Sequence, residues 1–353
     1  MRILEGVPLA PRTTLRLGGP ARRLAEVESE RDVALAVCEA DARGERVLVL
    51  GGGSNVVIGD AGFDGLVVDM ELRGVRLTRG AERGVVRVEV AAGEEWDALV
   101  LRCVEEGLAG VECLAGIPGR VGATPIQNVG AYGQEVSETL VSLRALDRAT
   151  GAVVEMDAAA CAFGYRRSVF KGAARYVVVS VTFALSERRT SAGVRYAELA
   201  RALGVAEGGE APIDQVRTTV IALRRAKGMV LDPADPDSVS AGSFFVNPVL
   251  DAAALAALDG RVTVARGPDA RAPRFAAEGG AHKVSAAWLI EQAGFGKGLS
   301  SGPVGISTKH ALALVNRGGA TARELLDFAA VIQRGVLQAF GVALSAEPVI
   351  IDR

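Results

Sequence analysis

Two stretches of this 353-residue chain are suited to chemistry done by the backbone. Residues 51–65 hold six glycines and open with Gly51-Gly52-Gly53-Ser54-Asn55; residues 107–133 hold seven. The second stretch reads Ala115-Gly116-Ile117-Pro118-Gly119, then Gly122-Ala123, Gln127-Asn128 and Gly130-Ala131-Tyr132-Gly133. Without a side chain in the way, amide N–H groups can approach a phosphate directly, and Ser, Thr124, Asn and Gln add neutral donors. Either cluster alone could be a set of tight turns. Together they point to a dianionic pyrophosphate cofactor, held by amides in a chain whose formal charge is only -2.

Other familiar signatures fail. Gly51–Val56 lacks the third glycine of a dinucleotide fingerprint, and Gly296-Lys297 is followed by glycine, so there is no Walker loop. Gly298-Leu299-Ser300-Ser301-Gly302 matches the nucleophile-elbow letters, but a helical pattern precedes it and Pro303 follows, the wrong context for a serine hydrolase. Cys38, Cys103, Cys113 and Cys161 form no C-x-x-C, and His282 and His310 are the only histidines, so no zinc site is expected. Five lysines stand against 35 arginines, which makes Lys171, Lys227, Lys283, Lys297 and Lys309 mildly conspicuous as point-charge ligands.

The elements that must position these residues follow from periodicity. Residues 30–41 read as a helix, and Val47–Leu50 reads as a strand running into the first glycine loop. Val85–Val90 is a strand. Glu94–Glu106 is a helix with Trp96, Leu99, Val100, Cys103 and Val104 on one face, stopped by Gly107. Strands return near 141–146 and 176–185, and Ile213–Lys227 and Ala286–Ala293 are helical. Thr321 and Glu324 stand in capping-box spacing before a helix to Phe340, and Pro348–Ile351 is a short terminal strand. A domain boundary is expected between residues 190 and 230.

Composition bounds the rest. With 49 % apolar and 23 % charged residues the chain is globular, and near-neutrality gives no electrostatic case for nucleic acid. Mean hydropathy is +0.26, yet no apolar run approaches the ~18 residues of a membrane span. No signal peptide is read, so a cytoplasmic protein is expected.

The ordered motifs resemble the UDP-N-acetylenolpyruvoylglucosamine reductase family, also called UDP-N-acetylmuramate dehydrogenases, the flavoenzymes of peptidoglycan precursor synthesis. The resemblance is carried by Thr14 with Leu17-Gly18-Gly19-Pro20-Ala21, by both glycine loops, and by Tyr165-Arg166-Arg167-Ser168-Val169-Phe170-Lys171. Ala241-Gly242-Ser243-Phe244-Phe245-Val246-Asn247-Pro248, and Lys283 with Trp288–Gly294, complete it. It implies an α+β fold: a two-part FAD-binding domain of the vanillyl-alcohol-oxidase type over 17–187 (subdomains 17–72 and 73–187) and a connecting segment with a substrate loop over 188–228. A substrate-binding domain over 229–345 and a terminal strand over 346–353 would follow.

The same resemblance implies FAD as cofactor, NADPH as co-substrate and a UDP-sugar substrate, in a monomer needing no metal, nucleic acid or membrane. Gly51, Gly52, Gly53, Ser54, Asn55, Gly116, Ile117, Pro118, Gly119, Gly122, Ala123, Gln127, Asn128, Gly130, Ala131, Tyr132 and Gly133 would hold FAD. Arg166, Ser243 and Glu347 would be catalytic, and Tyr165, Tyr196, Lys227, Asn247 and Lys283 would contact substrate. Tyr196 in Val194–Leu199 resembles the substrate-gripping tyrosine of the type I branch. Val246 and Pro348 depart from the residues common in relatives. An alternative keeps the fold as a flavin oxidase of another alcohol or hydroxy acid. Such enzymes often attach FAD through histidine or cysteine, whereas here no histidine precedes His282 and only Cys113 lies near the second loop.

Overall fold

Helix and strand periodicities sort the chain into two units, seen in a computed structural model that describes residues 1–80 and 82–351. The first unit gathers residues 1–7, 21–53 and 63–226; the second gathers 8–20, 54–62 and 227–353.

In the first unit, four strands line up in the order Arg2–Pro8, Pro20–Val27, Phe63–Met70, Val47–Leu50. The last three run parallel, with Leu50 beside Asp69. Helix α1 (Glu30–Ala42) starts where Ser29 accepts the Asp32 N–H, and it buries Val33, Ala36, Val37 and Ala40. That spacing is one face of a 3.6-residue repeat. These side chains share a core with Val68 and Met70 of the parallel sheet and with Val177 and Val179 of a second, antiparallel sheet. The main path of that sheet runs Ala152–Asp157, Leu140–Asp147, Tyr176–Glu187, Val85–Ala91, Val75–Arg79. Helix α2 (Trp96–Glu105) buries the five residues its periodicity predicts, and the Trp96 indole N–H donates to the Leu114 carbonyl at 2.9 Å. Helices α3 (Ala197–Leu203) and α4 (Ile213–Ala226) complete the unit.

The second unit has a four-stranded antiparallel sheet in the order Ser240–Ser243, Ala313–Asn316, Val304–Ile306, Ser300–Ser301. Three further strands order as Val249–Leu250, His282–Val284, Arg274–Ala276, and Val349–Ile351 lies parallel to Val56–Ile58. Residues 352–353 of the expected terminal strand lie outside the described residues. Ser300 and Ser301 form an exposed two-residue strand that turns back into the next strand, so no nucleophile elbow forms. Helices α5 (Ala252–Arg266), α6 (Ala286–Gln292) and α7 (Ala322–Phe340) cover the core. The Thr321–Glu324 capping box of α7 is formed, and the Asp60 carboxylate accepts the next two amides, those of Ala322 and Arg323. Among the described residues no helix is long and apolar enough to cross a membrane.

Candidate active site

The first unit carries most of the expected cofactor residues, and there the two glycine loops touch backbone to backbone. A Cβ on Gly52 would lie 2.7 Å from the Gly119 Cα, a distance no real Cβ tolerates. Only glycine permits this approach, which makes one continuous wall of peptide from the two loops. Its amides divide into two sets. The Gly116 N–H donates to Asp97 Oδ1 at 2.7 Å, and Gly122 and Ala123 donate to the carbonyls of Ala92 and Arg120, so these three hold the wall together. Gly51, Gly52, Gly53, Ile117 and Gly119 commit their N–H groups to no other described residue, which leaves them as donors for a phosphate.

Asn128 proves to be a pin within this wall. It is buried at φ 48°, and its Nδ2 donates to Glu135 Oε2 (2.8 Å) and to the Gly164 carbonyl (3.2 Å). Its Oδ1 accepts the Ser137 N–H at 3.0 Å, so the side chain orders the loop rather than reaching out of it. Arg166 stands at φ 51° and donates from Nη2 to the Gly130 carbonyl at 2.8 Å, with its guanidinium carbon 5.4 Å from the Tyr165 ring centre. The second glycine loop therefore seats the candidate catalytic arginine. Tyr132, at φ 49°, meets Tyr196 edge to face at 5.4 Å. Burial pushes the Tyr132 phenol up to about 12 against the lowering by Arg224, and burial raises Tyr196 as well. Both rings are neutral at ordinary pH. Cys113 is buried, and desolvation pushes its thiol up to about 12, the opposite of what a nucleophilic attachment point needs.

The second unit holds Ser54, Asn55, Lys227, Ser243, Asn247, Lys283 and Glu347. Ser243 ends its strand after Gly242 (φ 69°) and a register shift, and no described residue hydrogen-bonds its hydroxyl. The next residues bind the chain end: the Glu347 N–H donates to the Phe244 carbonyl at 2.8 Å, and the Val246 N–H donates to the Ser345 carbonyl at 3.0 Å. Two residues far apart in sequence are thus neighbours along one pairing. Asn55 fixes the same end, its Nδ2 donating to the Glu347 carbonyl at 3.4 Å and its carbonyl accepting the Val349 N–H. Asn247 Oδ1 accepts the Ala286 N–H at the start of α6 at 2.9 Å, and its NH₂ is bonded to no described residue. Lys283 occupies a central strand with exposed Val249 and Phe275 directly across it on either side.

Sequence reasoning passed over Arg120, whose charged side chain is 11 % exposed in an otherwise neutral loop. It also passed over Asp97, which joins Gly116 to Arg217 of α4 at 3.0 Å. A single charge inside Ile117-Pro118-Gly119-Arg120-Val121-Gly122 was the available signal. Among the described residues no cluster of three or more His, Cys, Asp or Glu could hold a metal.

Comparison with known proteins converges on one family. Residues 21–157 match the family model described as an FAD binding domain, and residues 233–351 match the C-terminal domain of UDP-N-acetylenolpyruvoylglucosamine reductase. The chain is 54 % identical to the UDP-N-acetylenolpyruvoylglucosamine reductase of Thermobifida fusca, over 98 % of this chain and 97 % of that one. It is 46 % identical to the enzyme of the same name from Mycobacterium tuberculosis, over 99 % and 95 %. The crystal structure of the Thermus caldophilus reductase superposes over 100 % of both chains, with a TM-score of 0.66 at 25 % identity. The expected α+β arrangement, an FAD-binding domain joined to a second domain, is the fold found. By sequence, by domain content and by fold, this chain belongs to the UDP-N-acetylenolpyruvoylglucosamine reductase family of FAD-binding oxidoreductases.

Proposed function

We propose that the protein reduces UDP-N-acetylglucosamine-enolpyruvate to UDP-N-acetylmuramate with electrons from NADPH. Bound FAD, reduced by NADPH, would supply the hydride that the terminal alkene carbon of the enolpyruvyl ether accepts. The residues of the chain do the rest. An unactivated enol ether resists hydride, so its carboxylate must carry the developing enolate charge. Arg166 holds that carboxylate through its two-pronged guanidinium. Ser243 gives its proton to the other alkene carbon, an enolate carbon basic enough to need only a positioned hydroxyl. Glu347 assists only when it is protonated or bonded to a donor, since a bare carboxylate would repel the enolate.

Gly51–Asn55 and Gly116–Gly133 hold FAD, with the uncommitted amides of Gly51–Gly53, Ile117 and Gly119 on the pyrophosphate. Gly116, Gly122 and Ala123 serve by shape, because their N–H groups are already bonded. Tyr165, Tyr196, Lys227, Asn247 and Lys283 contact the nucleotide sugar, and the Tyr196 segment places the protein in the type I branch. We read 17–187 as the FAD-binding domain, 188–228 as the connection with the substrate loop, 229–345 as the substrate domain and 346–353 as the returning strand. The protein acts as a cytoplasmic monomer.

The observation that supports this reading most directly is the backbone pairing of Glu347 with Phe244, the residue after Ser243, which brings two candidate catalytic residues far apart in sequence onto one short pairing. The test is NADPH oxidation that depends on the enolpyruvyl sugar and yields a product heavier by two hydrogens. Flavin reduction by an alcohol or hydroxy acid, with reoxidation by O2 and release of H2O2, and no NADPH oxidation driven by the enolpyruvyl sugar, would favour the oxidase alternative.

A further inference from the structure

Arg120 sits at the junction of the two glycine loops. Its Nη1 donates to Asp69 Oδ1 at 2.7 Å and to the Met70 carbonyl, and its Nη2 donates to Glu71 Oε1. Glu95 lies 3.7 Å from its Nε, and Arg73 makes a second pair with Glu71 at 2.7 Å. The Asp69 side chain is 3 % exposed, so this pair is well shielded from water.

The position of the pair matters as much as its chemistry. Asp69 lies beside Leu50 in the parallel sheet, and Leu50 leads directly into Gly51. Arg120 directly follows Gly119, the residue that touches Gly52. A Cβ on Gly51 would stand 3.7 Å from the Arg120 Cβ. The ion pair therefore ties the turn carrying one glycine loop to the strand end beside the other. It also answers a problem of charge. A pyrophosphate cradle made of neutral amides lies next to Asp69 and Glu71, and those carboxylates would repel an anionic ligand unless a cation cancels them.

We propose that Arg120 is a positioning residue for the flavin pyrophosphate: paired with Asp69, it clasps the two glycine loops together and cancels the carboxylate charge behind them. The proposal rests on the reading of these loops as the FAD cradle.

The test is FAD titration of apoprotein variants. Arg120→Met is expected to weaken FAD binding by about 30-fold, as one uncancelled carboxylate near the site would do. Arg120→Lys, which keeps a cation, stays within about fivefold of the parent. Asp69→Asn with Arg120→Met recovers at least about tenfold of the loss, because the buried carboxylate is gone while Glu71 keeps its pair with Arg73. If Arg120→Met does not fold, the Asp69→Asn background carries the test, and there replacing Arg120 changes FAD affinity by less than about threefold.

Several results would overturn the proposal. They are FAD affinity of Arg120→Met within threefold of the parent, a double variant no better than the single one, or a tenfold loss in the Asp69→Asn background. Gly52→Ala separates the two levels of the argument. If it leaves FAD affinity intact, the loops are not the cradle and that reading fails. If it weakens FAD while Arg120→Met does not, only the role of Arg120 fails.

Discussion

Gly52→Ala puts the contact between the glycine loops under direct load. The new methyl would stand 2.7 Å from the Gly119 Cα, about 0.7 Å inside the 3.4 Å at which ordinary contact begins. The Gly119 carbonyl carbon at 3.3 Å and its nitrogen at 3.4 Å close the neighbouring directions. None of these atoms is the end of a flexible side chain, so relief requires the two loops to separate. Overpacking of this kind costs about 1–3 kcal/mol. Part of that appears as a lower melting temperature of the apoprotein, at about 2–4 °C per kcal/mol for a unit of this size. The part relieved by parting the loops appears in FAD affinity, up to about 150-fold for the full 3 kcal/mol. Gly51→Ala is the matched control, since its methyl would meet only the Cβ atoms of Ala123 and Arg120 at 3.6 and 3.7 Å. Thermal melts of both apoproteins and flavin-fluorescence titrations measure both parts. A Gly52→Ala protein within about 0.5 kcal/mol of the parent in stability and affinity together would refute the backbone-to-backbone contact.

Three further outcomes are expected. In Ser243→Ala, NADPH still bleaches the flavin while reoxidation by the enolpyruvyl sugar falls about 100- to 10,000-fold, the range for loss of a general acid; equal loss in both half-reactions would make Ser243 structural. Burial pushes Cys103 and Cys113 up to about 12 and Cys161 to about 11, so iodoacetamide at pH 8 should label only the half-buried Cys38 in the folded protein, as read by peptide mass. These folded thiols keep protons that unfolded thiols release above about pH 8.5, so their contribution to stability is full below that pH and is lost as pH rises towards 11–12; a denaturation midpoint that rose with alkalinity would contradict this. Thr321→Ala removes the acceptor for the Glu324 N–H and costs about 0.5–1 kcal/mol by denaturant melt, the low end because Asp60 still receives the Ala322 and Arg323 amides.

Much of this arrangement was legible in the sequence because it is local. The Trp96–Val104 stripe, the Thr321–Glu324 box and the strand before Gly51 all depend on residues within a few turns of one another, and each formed as its spacing implied. What the sequence hid is long-range. Residues 8–20 and 54–62 join the second unit through bonds such as Thr14 Oγ1 to the Ser240 carbonyl and the pairing of Val56–Ile58 with Val349–Ile351, which no local pattern announces. The direction of each amide was equally hidden. Gly116 and Gly119 are indistinguishable as letters, yet one N–H is bonded to Asp97 and the other is not. Asn128 likewise carries a donor and an acceptor that suit a ligand, and only its burial against Glu135, Ser137 and Gly164 shows that both are used within the protein. Arg120 was passed over because its partners lie 50 residues upstream.

The proposed reaction divides into two half-reactions that colour reports separately. The most direct test is anaerobic: the purified flavoprotein is bleached with NADPH, and UDP-N-acetylglucosamine-enolpyruvate is then added. The yellow of oxidised FAD should return at once, with one UDP-N-acetylmuramate formed for each flavin reoxidised. A flavin that stays bleached in the presence of that substrate would contradict the proposed reaction.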